Sequence, residues 1–391
     1  MSVSPPDAPG CEESPLASLE QASLPPVPWR KPIRFLFWSV QMGFGFASLI
    51  IILAALAAIP VVNFAVLGYF LQAETDIVRK GRWSAVFPWG YLMPRLGSLS
   101  LGLTLFFVPL TWLASAAYDA QLVEPGGRSA QFLVTLTRIM TVVIVIHLSL
   151  AIARGGNLGS FFRPIRNLRW FLKNFRHSSF WRQADQTFWK FGGELKLAHC
   201  WWIGLRAFTG SFLWLFLPTL MLASTRKTQG LPVVLTVIGG LWLIPVLAVA
   251  PFLQIRATLL GRWRENFSWR AIRRERRRAP LAWLLAVIIT YALSLPVYLT
   301  TVVIPPRDGF WLLTPTFILT IYPARMLVAW GYRQSTLRAT DARWYWRWPC
   351  YWLGWGALGA YVFLLFFTQF IGAHGKLVLF QHHAILLPSP L

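Results

Sequence analysis

Apolar and polar positions along this chain fall into long blocks, with none of the two-residue alternation that marks a half-buried strand. Eight blocks are long enough to be membrane helices: Phe35 to Ile59, Leu96 to Tyr118, Ala130 to Ile152, His199 to Ser224, Leu231 to Ile255, Pro280 to Ile304, Phe310 to Trp330 and Pro349 to Ile371. At a rise of 1.5 Å per residue, about 20 residues cover a hydrocarbon core of ~30 Å. A further stretch, Val61 to Arg79, is apolar only as far as Leu71, yet as a helix it would reach ~28 Å. The pattern predicts an all-α polytopic helical membrane bundle of about nine transmembrane helices, or eight if residues 61–79 do not cross.

Composition sharpens this. Of 391 residues, 56% are hydrophobic and only 13% charged, where a soluble domain carries about 25% charged residues. A soluble fold is excluded. The net charge of +23 would suggest nucleic acid in a soluble protein, but here the basic residues collect in short segments between apolar blocks. That distribution predicts membrane lipids as partners, anionic headgroups above all, with protein partners a further option and no nucleic acid.

Charge placement also orients the chain. With nine spans and the N-terminus inside, the inner segments hold Arg30, Lys31 and Arg34, then four basic residues from Arg79 to Arg95, nine from Arg154 to Lys196, nine from Arg256 to Arg278 and four from Arg333 to Arg347. The outer segments hold only Arg128, Arg226, Lys227, Arg307 and Lys376. By the positive-inside rule the expected location is a bacterial inner membrane, multi-pass, with the N-terminus cytoplasmic and the C-terminus periplasmic. Residues 1–34 open on Met1 to Pro28, which is Pro- and Ser-rich, carries Asp7, Glu12, Glu13 and Glu20, and lacks a basic n-region followed by a short apolar core. They read as a disordered cytoplasmic tail, followed by a first span that serves as an uncleaved signal anchor. The remaining organisation is a first transmembrane half (35–152), a basic cytoplasmic loop with an amphipathic helix (153–198), a second transmembrane half (199–330), and a last transmembrane helix with an outer tail (331–391).

Three triplets recur in order: Ile59-Pro60-Val61, Phe70-Leu71-Gln72 and Gly81-Arg82-Trp83 return as Ile244-Pro245-Val246, Phe252-Leu253-Gln254 and Gly261-Arg262-Trp263. They fit either a parallel four-plus-four repeat with one extra helix or the coincidences that apolar sequences produce. Pro60, Asn63, Gly68 and Tyr69 form a Pro-x-x-Asn-x-x-x-x-Gly-Tyr pattern that resembles the first helix pair of a group of bacterial multi-span membrane proteins classed as a domain of unknown function. Trp269 to Pro280 (WRAIRRERRRAP) and Pro323-Ala324-Arg325 are similar to longer members of that group. The resemblance implies a bacterial polytopic membrane fold and assigns no functional residue.

Catalytic signatures are missing: there is no His-Glu-x-x-His, no Gly-x-Ser-x-Gly and no phosphate-binding Gly-rich loop. No cofactor is implied and the expectation is a non-enzyme. The acidic residues lie in tails and loops or, for Glu74 and Asp76, at the inner end of residues 61–79, so no carboxylate is expected deep in the membrane. That leaves Arg138, Arg206 and Arg325 inside spans without an acid, and they read as contacts to anionic or lipid headgroups, to backbone carbonyls, or as snorkelling side chains. Cys11, Cys200 and Cys350 are too far apart for a motif, and neither His147 nor His382-His383 has ligands at metal spacing, so no metal is expected. Prolines at 109, 218, 245, 251, 296, 315 and 323 mark either kinked or broken helices. Tyr291, Ser294 and Tyr298 share a face that would line a cavity or pack between helices, and Gly43-x-x-x-Ala47 and Gly356-x-x-x-Ala360 are expected to allow close helix packing.

The sharpest local pattern spans Phe161 to Arg176. Phe161, Ile165, Leu168, Leu172 and Phe175 form one helical stripe, and Arg163, Arg166, Arg169, Lys173 and Arg176 run beside it. An in-plane interfacial helix needs this arrangement, with acyl contact below and phosphate beside it. The leading expectation is therefore a membrane protein that organises lipid or partner proteins at the cytoplasmic face. The alternative is a transporter or lipid-translocating protein with an anionic or lipidic substrate.

Overall fold

The computed structural model describes residues 28, 31–82, 86–174, 193, 195–224, 230–302, 312–371 and 375–387. Among them there are helices and no strands. The long helices are α1 (Pro32–Ala58), α2 (Phe64–Lys80), α3 (Met93–Val123), α4 (Arg128–Ala153), α6 (Leu197–Leu222), α7 (Leu231–Leu260), α9 (Pro280–Val302), α10 (Leu313–Thr336) and α11 (Trp344–Ile371); the shorter α5 (Pro164–Asn174) and α8 (Trp269–Arg278) lie between them. Most of the 1–34 tail lies outside the described residues, and α1 begins at Pro32, a proline at a helix start where its missing N–H costs nothing.

Among the described residues, seven helices are long and apolar enough to cross a membrane: α1, α3, α4, α6, α7, α9 and α11. The chain is an all-α polytopic membrane protein. The two long helices outside that set, α2 and α10, carry charge, namely Glu74, Asp76, Arg79 and Lys80 in one and Arg325 and Arg333 in the other. Most of α2 and half of α10 are buried, so Glu74, Asp76 and Arg325 face protein in place of lipid.

Contact order gives the directions of the central helices. Tyr69 meets Tyr322 and Glu74 meets Arg325, in the same order along both chains, so α2 and α10 run parallel. Thr290 donates to the Ala324 carbonyl, while Gly331 lies against Ala282 and Ala286, so α9 runs antiparallel to α10. α7 also opposes α9, with Tyr291 donating to the Leu247 carbonyl (2.6 Å) and Trp283 stacked on Phe252 at 3.5 Å. A shared apolar core joins α1, α2, α6, α7, α9, α10 and α11. α3 and α4 pack on one another beside it, and most of their surface is exposed.

Several local expectations change here. Gly43 and Gly356 have open space where a Cβ would stand, so the two Gly-x-x-x-Ala faces are not the close contacts. The tight crossings use other glycines: a Cβ on Gly45 would overlap the Met93 carbonyl and one on Gly97 the Gln41 carbonyl. Gly68 and Gly204 repeat that relation with the carbonyls of Cys200 and Phe64, bringing α2 and α6 backbone to backbone. Pro109, Pro218, Pro245, Pro251, Pro296 and Pro323 lie inside continuous helices, which resolves the proline alternatives toward uninterrupted elements. The third triplet pair takes the same place at its glycine, since α2 and α7 both end at a left-handed glycine, Gly81 and Gly261. The first does not: Ile59-Pro60-Val61 lies between helices, whereas Ile244-Pro245-Val246 lies within α7.

Candidate functional site

Arg325 is 1% exposed and is held in a fork. Its Nε and Nη2 donate to the two carboxylate oxygens of Glu74, the second at 3.2 Å, and Nη1 donates to Gln254 Oε1 at 2.7 Å. This corrects the expectation that no acid lies in the interior and that Arg325 reaches a headgroup. Glu74 is fully buried because α2 is enclosed by its neighbours, a property its seventeen residues do not encode. An apolar environment demands paired charges with filled hydrogen-bond positions, and the bidentate pair plus Gln254 meets that demand.

Gln254 continues the network by donating to the Ile385 carbonyl at 3.2 Å. Residues 375–387, expected as an outer tail, instead turn back into the bundle and are buried from Val378 to Leu387 save for a half-buried Phe380. Lys376 donates to the Ala223 carbonyl, Tyr298 donates to the Gln381 carbonyl, and His382 Nε2 shares a hydrogen bond with Thr219 at 2.8 Å. The Tyr291–Ser294–Tyr298 face is thus filled by Leu247, Tyr361 and this segment, and it does not line an open cavity. Irregular backbone inside a membrane protein is tolerated where it is enclosed by protein.

The remaining arginines take different places. Arg206 donates to the Gly261 carbonyl at 3.2 Å, capping α7. Arg138 is exposed on α4, and among the described residues no carboxylate pairs with it. No group of three metal-ligating side chains occurs among the described residues.

The predicted amphipathic segment divides in two. Phe161 belongs to a preceding turn, Leu158–Phe161, and is fully buried between α3 and α4, where His147 Nε2 donates to its carbonyl at 2.9 Å. A Cβ on Gly102 would strike its ring, so this anchor depends on that glycine. Pro164 then starts α5, whose inner side is moored by Asn167: it accepts from Arg154 Nη1 at 2.5 Å and donates to the Ser160 carbonyl at 2.8 Å, while Arg154 also lies over the Trp170 ring. The apolar stripe points the other way. Ile165, Leu168 and Leu172 are 69%, 50% and 60% exposed, flanked by exposed Arg163, Arg166, Arg169 and Lys173. Phe175 and Arg176 lie outside the described residues.

No protein-family model, curated protein or solved structure matches the chain.

Proposed function

We propose that this protein organises anionic lipid at the cytoplasmic face of a bacterial inner membrane, without catalysing a reaction. The observation that carries the reading is α5. It is fastened by its polar side and leaves a stripe of three large apolar residues uncovered beside four cations. A helix packed on the protein's own loops would bury that stripe; one lying at the headgroup level places it in acyl chains and its cations at phosphate depth. The basic inner segments and the N-inside, C-outside orientation follow from the same charge asymmetry, and nothing in the amino-acid sequence supplies a recognisable reactive centre.

The test is depth. A nitroxide at position 168 of the full-length protein in vesicles containing anionic lipid is expected to be shielded from a water-soluble relaxant and accessible to oxygen. A label that is equally water-accessible in anionic and neutral vesicles overturns the reading.

A second reading, transport of an anionic or lipidic solute, is favoured by one observation: the bundle centre holds Arg325, Glu74, Gln254 and the non-helical stretch 381–387 in place of a purely apolar core. Transport requires that segment 375–387 leave its position to open a path.

A further inference from the structure

At the inner end of α11 a second basic feature is built differently from α5. Arg273, Arg276 and Arg277 of α8 and Arg347 of α11 converge with Trp348, Tyr351, Trp352 and Trp355 around a cleft of about 430 Å³. The helices meet there because the chain passes directly from α8 through Ala279 into α9, while the Ala342 amide donates to the Arg277 carbonyl and fixes the entry to α11. Arg347 has a carboxylate partner, Asp341 at 3.3 Å, and Glu275 turns to Arg278. Among the described residues, Arg273, Arg276 and Arg277 have no carboxylate partner.

Arg276 is the central group. Its guanidinium lies 4.2 Å from the centre of the Tyr351 ring, and its Nε is buried without a hydrogen-bond acceptor. Burial pushes its pKa below the ordinary arginine value. A buried donor with no acceptor carries a desolvation cost that an oxyanion would remove.

Two further features say what kind of anion. The exposed aromatics Trp344, Tyr345, Trp346, Trp348, Trp352 and Trp355 gather at this end of α11, as expected at a membrane–water interface. Below the cleft, Arg276, Tyr351 and Trp355 also line a shallow apolar groove, enclosing only about 30 Å³, that continues between α9 and α11 past Leu284, Val287, Gly354 and Leu358. A free phosphate would use only the upper part of this arrangement.

We infer that the Arg273–Arg276–Arg277–Arg347 cleft binds the phosphate of an anionic glycerophospholipid, with an acyl chain running outside the protein along the mouth of the apolar groove between α9 and α11. The inference deepens the lipid-organising reading by giving it a defined stoichiometric site separate from α5.

Native mass spectrometry of the full-length protein, extracted in mild detergent and delipidated to constant mass, tests it. The wild type is expected to retain an anionic phospholipid. Arg276→Gln combined with Arg277→Gln is expected to reduce retention roughly tenfold or more, the loss that follows when a charge-assisted hydrogen bond is removed. Arg276→Lys keeps the charge but not the fork and is expected to fall between, which serves as the readout if the double variant does not fold. Gly354→Phe is expected to weaken lipid retention by obstructing the mouth of the groove while leaving any binding of inorganic phosphate unchanged. Retention unaltered in both the double variant and Arg276→Lys overturns the site. Phosphate binding that depends on these arginines, with lipid retention indifferent to Gly354→Phe, overturns the lipid assignment in favour of a soluble phosphate. Ile165→Asp with Leu172→Asp is expected to abolish the shielding of the label at position 168 without changing lipid retention at the cleft, so the two readings fail separately.

Discussion

A guanidinium enclosed among packed helices, as Arg325 is, is tolerable only when an acid and further acceptors surround it, and each partner is then needed by the other. Removing one member of such a pair leaves an uncompensated buried charge, typically at a cost of about 3–5 kcal/mol, whereas replacing both by apolar groups is often neutral or stabilising. Glu74→Leu and Arg325→Met are therefore each expected to lower the thermal midpoint in detergent markedly, and the double variant to be more stable than either single one. Additive losses would show that the two side chains act independently. The pair is a structural device in this account, and its position beside Gln254 ties three helices and the C-terminal segment to one point.

Helices in a membrane gain little from excluding apolar surface, because lipid is as apolar as leucine, so association relies on close backbone approach and polar contacts. At Gly204 the Phe64 carbonyl stands where a side chain would go; at Gly43 there is open space. Gly204→Leu is expected to separate α2 from α6 and reduce the yield of folded protein, while Gly43→Leu is expected to be tolerated; measuring monodisperse protein after extraction distinguishes them. The C-terminal segment is held both by apolar burial of Val378, Leu379, Ile385 and Leu386 and by polar contacts. Its buried His383 ring nitrogens and the Gln381 side-chain amide have no hydrogen-bond partner, so part of its polar surface is enclosed without compensation. Deleting residues 375–391 is expected to make Thr219→Cys reactive toward a small water-soluble thiol reagent that leaves it untouched in the full chain. Equal protection in both chains would mean that other elements cover Thr219.

For the molecule as a whole, the proposed orientation rests on where the cations sit. Arg333 donates to the Gly81 carbonyl, Arg79 to the Leu259 carbonyl and Arg338 to the Arg278 carbonyl, so three of the basic segments share one end of the bundle. A periplasm-active reporter fused after Leu122 or Gln229 is expected to give signal, and one fused after Trp181 or Phe267 is expected to be silent. The reverse pattern would overturn the orientation, and opposite sides for fusions after Pro28 and after Trp83 would mean that α2 does not cross.

The amino-acid sequence by itself determined that the chain is a helical membrane protein, because block length and charge exclusion from apolar solvent are one-dimensional properties. It also marked Ile165, Leu168, Leu172 and their basic neighbours, since a helical stripe is a local periodicity. Only the tertiary structure decided which charges are enclosed. Glu74 lies near a polar helix end in sequence and at the centre in space, because α2 is surrounded by α6, α7 and α10. The same holds for the cleft at Arg276, whose members come from α8 and α11 some seventy residues apart, and for residues 378–387, which read as a tail until α6, α7 and α9 are seen to surround them. Periodicity reports a helix's own faces; what stands opposite each face depends on packing between distant segments, and that carries no local signature.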